Sequence, residues 1–281
     1  MFSADIGSAA FGTACAALWG AGDFCGGLAA RRTGVYAVVV GSQLCGVAAL
    51  IVLAITSHEA MPPPVNLAGC GAAGVCGAVG LLALYRALAV GRMGMAAPIS
   101  GVLSAAVPVV AGALLQGIPG RLTLAGFALA LAGVWLVSYT DAGVFQRRAL
   151  ILPIVAGLGF GLFIVMIGRM SGGAVYWPLV AARVTSLSML TMVAIVSRQP
   201  RLPGARDLPL VAMAGLFDAA GNAFLVLAAH AGRLDVAGVV SSLYPVSTVV
   251  LAVVILRERV SRWQFAGLIA AFSAIVLITM P

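Results

Sequence analysis

Lysine is missing from this chain altogether. All 16 basic residues are arginines, the acids number eight, and there are two histidines. Charged residues make up 9% of the sequence, against about 25% in a soluble domain. So little charge cannot wrap a water-soluble core. The net charge of +8 is spread along the chain rather than gathered on one polar face, which excludes the basic patch of a nucleic-acid-binding protein. Cysteine is sparse: Cys15, Cys25, Cys45, Cys70 and Cys76 all lie in apolar sequence, with no CxxC and no Cys/His cluster. They read as small packing residues, and no metal or cofactor is expected. No HExxH, GxSxG or paired-carboxylate motif occurs, so no motif supports hydrolytic chemistry, including that of a membrane enzyme acting on lipid phosphates. The first twelve residues lack the basic region of a cleaved signal peptide, and the first apolar run is expected to stay in the mature protein.

What is abundant is apolar sequence: 62% of the residues are hydrophobic, and the mean hydropathy is +1.13. Runs of about 20 apolar residues, each enough to cross a bilayer as helix, recur ten times. They fall at 7–29, 34–56, 66–90, 94–117, 122–140, 149–171, 175–197, 208–231, 235–257 and 262–280. The expected fold is therefore an all-α integral membrane protein of ten transmembrane helices. Short loops join them, the two longest holding Pro62 to Pro64 and Pro200 with Pro203.

The chain also repeats itself. A shift of 141 residues overlays Gly80–Ser138 on Gly221–Thr279 with about a quarter of positions identical, among them Gly91-Arg92 on Gly232-Arg233 and Ser100 on Ser241. Further upstream Tyr36-x6-Gln43 overlays Tyr176-x6-Arg183. Residues 1–140 and 141–281 then form two five-helix units. Five is odd, so the second unit must enter the membrane upside down, and a substrate site is expected where the two units meet near the midplane.

Loops after odd-numbered helices hold eleven arginines and the opposite face three. The positive-inside rule puts the first set in the cytoplasm and both termini outside.

Short motifs stand out: Leu18-Trp19-Gly20 in the first helix, Tyr244-Pro245-Val246 in the ninth, and Leu256-Arg257-Glu258-Arg259-Val260-Ser261 leading to Ala266-Gly267. With the ten spans and the repeat, they resemble the EamA-type members of the drug/metabolite transporter superfamily. In the first unit Gln116-Gly117-Ile118-Pro119 replaces the acidic turn. The resemblance implies a secondary transporter that exports a small metabolite, amino acid or drug-like solute by alternating access. It also implies cytoplasmic termini, the reverse of the arginine count. An uncoupled facilitator, a channel and a lipid-phosphate enzyme are the alternatives. The expected partners are a small-molecule substrate, the lipid bilayer and, for coupling, protons. The expected assembly is a monomer or homodimer in a bacterial inner membrane.

Four charges fall inside the expected spans: Asp23, Arg86, Arg183 and Asp218. Each costs about 2.5–3.5 kcal/mol near a helix centre, while Leu, Ile, Phe or Val returns about 0.3–0.6. Four such residues in span 7–29 offset roughly 2 kcal/mol, so Asp23 must face a partner or water. Depth along the helices pairs Asp23 with Arg86 and Arg183 with Asp218. Asp23 and Asp218 are the candidate proton acceptors. Tyr36, Gln43, Tyr176, Arg183, Asp218 and Asn222 are expected to line a substrate cavity, with Arg183 able to clasp a carboxylate or phosphate and the tyrosines an apolar body. His58 and Glu59, in a proline-rich loop, are expected in solvent.

Overall fold

A computed structural model describes residues 2–30, 32–90, 93–137, 151–199, 203–257 and 261–280, with side chains except at 2–5, 85–90, 93–99 and 137. Every regular element among the described residues is a helix: α1 Phe2–Ala30, α2 Val35–Thr56, α3 Pro64–Val90, α4 Met93–Gln116, α5 Arg121–Val137, α6 Ile151–Met170, α7 Tyr176–Val196, α8 Leu208–Ala231, α9 Leu234–Ser241, α10 Tyr244–Leu256 and α11 Arg262–Thr279. Among the described residues seven stretches are long and apolar enough to cross a bilayer: α2, α3 over Pro64–Leu84, α6, α7, α8, the α9–α10 run Leu234–Leu256, and α11. Shorter apolar stretches lie in α4 and α5. Large apolar side chains such as Val52, Leu114, Val254 and Phe272 are exposed. That surface would be untenable in water and suits lipid, where helices satisfy their own backbone groups.

Local signals set the helix ends. Pro64 opens α3, where its missing N–H costs nothing. Ser261 and Gln264 form a capping box at the start of α11. The expected ninth span is not one helix but two, interrupted at Ser242-Leu243. Pro245, in the first turn of α10, cannot donate to the preceding turn and so favours a fresh start there.

The helices pack in a definite order. α1 lies on α8, α9 and α10; α6 lies on α3 and α4; α2 and α7 touch each other and contact α8 and α3 respectively; α4 meets α9, and α5 meets α11. Exchanging α1 with α6, α2 with α7, α3 with α8, α4 with α9–α10 and α5 with α11 returns the same list. Two contacts at the centre obey the same exchange. A Cβ at Gly74 of α3 would fall onto the Ala182 carbonyl of α7, and a Cβ at Gly215 of α8 would fall onto the Ser42 carbonyl of α2. Glycine is required at both, because backbone meets backbone there.

Candidate functional site

Those two close approaches bring α2, α3, α7 and α8 together around a cavity of about 350 Å³, completed by α1, α4, α6 and α10. Its walls run along α1 to Ala30 and along α3 to Leu84, toward the face that carries Arg32.

At the centre Arg183, only 6% exposed, extends from α7. Its Nη1 donates to Oε1 of Gln43 on α2 at 2.6 Å, and its Nη2 forms an ion pair with Asp218 on α8. Asn222, one turn after Asp218, donates to the Asp218 carbonyl at 2.8 Å and to its Oδ1 at 3.4 Å. The Asp218 side chain keeps 42% exposure and lines the cavity. Three helices are thus tied by one guanidinium, whose planar fork suits two acceptors at once.

Asp23 of α1 lines the same cavity. Its neighbour Gly22 packs on the α8 backbone, where a Cβ would stand 3.4 Å from the Asp218 nitrogen. Asp23 is surface-exposed although it sits within the helix bundle, because the surface it offers is the cavity wall.

Of the residues singled out in the sequence, Asp23, Gln43, Arg183, Asp218 and Asn222 all line this space. Tyr36 and Tyr176 do not, which corrects their expected placement. They stand seven residues, or about 10.5 Å of helix rise, before Gln43 and Arg183, and so sit on the right face but at the helix entrances. Tyr176 is the first residue of α7, its N–H held by Glu59 Oε2 at 2.8 Å. The Arg86 side chain, and with it the expected Asp23–Arg86 pair, lies outside the described residues, as does Glu258.

Aromatic walls were missed. Trp19, Tyr244, Phe160 and Phe163 line the cavity, with Trp19 and Tyr244 edge to face at a centroid distance of 6.1 Å and 84° between planes. Trp19 packs on Gly221 and Phe160 on Gly80. Trp19 and Phe160 are 141 positions apart, as are Gly80 and Gly221, so the repeat register held a signal for them.

The face away from the cavity mouth is closed by hydrogen bonds. Glu59 is not solvated: its carboxylate accepts from the backbone N–H groups of Val175 (2.6 Å), Tyr176 (2.8 Å) and Trp177 (2.9 Å), and its carbonyl accepts from Trp177 Nε1 at 3.0 Å. It thereby caps α7, satisfying donors that the helix start leaves orphaned. On the same face Ser171 Oγ and His230 Nε2 are 2.6 Å apart. Arg233 there grips the fully buried Asp235 with two hydrogen bonds and donates to the Gly117 carbonyl at 2.6 Å. No group of residues suited to a metal ion occurs among the described residues.

Comparison with known proteins agrees with this architecture. Residues 147–280 match the EamA-like transporter family. No curated protein matches the chain. A solved structure, titled only as the crystal structure of a protein, superposes with a TM-score of 0.81 over 97% of this chain and 98% of its own, at 17% identity. At that identity the likeness shows a shared fold.

Proposed function

We propose that this chain is a secondary carrier of the EamA-like transporter family, whose model its residues 147–280 match, and that its substrate binds in the cavity around Arg183. Its apolar helices, long enough to cross a bilayer, support an integral membrane protein. The finer reading is export of a small metabolite, amino acid or drug-like solute, by alternating access, across a bacterial inner membrane. The observation that carries it is the Arg183–Asp218–Gln43 cluster set in the wall of a central cavity. A buried ion pair is weak evidence for stability alone. One that borders a cavity of ligand size, about 300–1,000 Å³ in general, is placed to meet a solute.

The proposed architecture is two inverted five-helix units, residues 1–140 and 141–281. Supporting it are the packing list that survives exchange of the halves and the matched contacts of Gly74 and Gly215. Gln43 and Arg183, 140 positions apart, then meet near the pseudo-two-fold axis, where inverted-repeat carriers place their substrates. The cavity extends toward the arginine-rich face, which the positive-inside rule makes cytoplasmic. The Glu59 and Arg233 bonds hold the opposite face. Release of that face with closure of the other would complete a transport cycle. Asp23 and Asp218 are the proposed proton acceptors, since a carboxylate in the cavity can exchange a proton for a charged solute.

The test compares the metabolites released by cells producing the protein, cells without it, and cells producing Arg183→Ala at equal membrane level. Solutes released with the wild type and not with the variant are expected. Equal release from the variant would overturn the site.

A further inference from the structure

The described charged residues that line the cavity are Asp23, Arg183 and Asp218. The Arg183 guanidinium is already committed: to Asp218 as an ion pair and to Gln43 as a hydrogen bond. With both carboxylates ionised the described lining carries one net negative charge, and that charge is Asp23. Helix-by-helix equivalence sharpens the point. At a shift of 141, Asp23 corresponds to Ile164 and Asp218 to Gly77, both of which also line the cavity. One half therefore places a carboxylate where the other places an aliphatic side chain. The same cavity is lined by four aromatic residues, Trp19, Phe160, Phe163 and Tyr244, whose rings are of the kind that attract a cation to their faces. A volume of about 350 Å³ lies at the small end of ligand pockets and suits one compact solute.

We infer that this cavity is selective for a singly charged organic cation with an aromatic or apolar body, its charge held by Asp23 and its body by the aromatic walls, while Arg183 positions Asp218 and Gln43 instead of clasping an anion. The inference rests on the carrier reading for the location of the site and replaces the acid expected at Arg183 with an amine or quaternary ammonium at Asp23.

Binding to the purified full chain in detergent tests it without requiring transport. The probe is radiolabelled benzyltrimethylammonium, competed by phenylacetate, phenylalanine and benzyl alcohol. Saturable binding of the cation is expected, with little displacement by the anion, the zwitterion or the neutral alcohol. Asp23→Asn is expected to weaken it by about tenfold or more, and Asp23→Glu, which keeps the charge, to retain most of it. Arg86→Gln is expected to leave cation binding unchanged or to tighten it. Preference for phenylacetate or phenylalanine overturns the inference. So does wild-type affinity in Asp23→Asn, or a loss in Arg86→Gln as large as in Asp23→Asn, since that would make Asp23 half of a structural pair. Cation binding that persists when cells release no solute would sink the carrier reading alone; solute release without cation binding would sink the charge assignment alone.

Discussion

Arg183 hydrogen-bonds Gln43 at 2.6 Å across 140 residues of chain, and the same guanidinium pairs with Asp218 on a third helix. Removing the guanidinium leaves the Asp218 carboxylate uncompensated. Arg183→Ala is expected to lower stability by about 2 kcal/mol, below the roughly 3–5 of a fully buried pair because Asp218 is half open to the cavity. Arg183→Lys keeps the charge but not the fork, and its unfolding midpoint in detergent is expected between the two. Identical midpoints for all three would contradict the network described.

The two backbone contacts predict a steric threshold. Gly74→Ala and Gly215→Ala each drive a methyl group into a carbonyl of the facing helix. Each is expected to cost about 1–3 kcal/mol, as overpacking does, and to lower the yield of folded protein. Gly27→Ala is the control: a Cβ there meets nothing within 4 Å. Equal thermal stability of Gly74→Ala and Gly27→Ala would refute the close approach.

Glu59 predicts a local effect on α7. Glu59→Ala removes the acceptor of three backbone N–H groups. The expected cost is about 1–2 kcal/mol, as for loss of a helix cap, with Glu59→Gln intermediate. Hydrogen exchange at Val175, Tyr176 and Trp177 is the direct readout: it should accelerate in the variant while exchange in the middle of α7 holds. Unchanged protection at those amides would count against the clamp.

A fourth prediction concerns Asp235, fully buried and held by Arg233. Asp235→Ala removes one partner of a buried pair, which generally costs about 3–5 kcal/mol. A loss of that order in the unfolding free energy is expected, whereas Arg32→Ala on the other face, whose pair with Asp207 is 3.9 Å long and half exposed, is expected to cost well under about 1 kcal/mol.

Much of this was legible in the sequence. Apolar runs located the helical regions, though not the break between α9 and α10, because a chain this poor in charge has few other ways to be stable. Depth arithmetic paired Arg183 with Asp218, because a charge in a span needs a partner at its own level. The tyrosines went wrong for a geometric reason: sharing a helical face says nothing about depth, and two turns carried them to the helix entrances. Glu59 was invisible because its partners lie 116 to 118 residues away in a loop without local signature. The aromatic walls were hidden because aromatic and aliphatic residues look alike in a hydropathy profile. Only the 141-residue register, set against Gly80 and Gly221, separates Trp19 and Phe160 from ordinary lipid-facing bulk.

The Gly74–Ala182 and Gly215–Ser42 contacts have a consequence at the level of codons. Any single-base change in a glycine codon that alters the residue gives Ala, Ser, Cys, Val, Arg, Asp, Glu or Trp, and the smallest of these already carries the methyl group that collides. No missense step away from glycine is short enough to be accommodated. In a saturation mutagenesis of the whole chain these two positions should be depleted of folded variants, with the tolerant column of Gly27 as their contrast. They form a genetic imprint of helix contact that needs no knowledge of the solute carried.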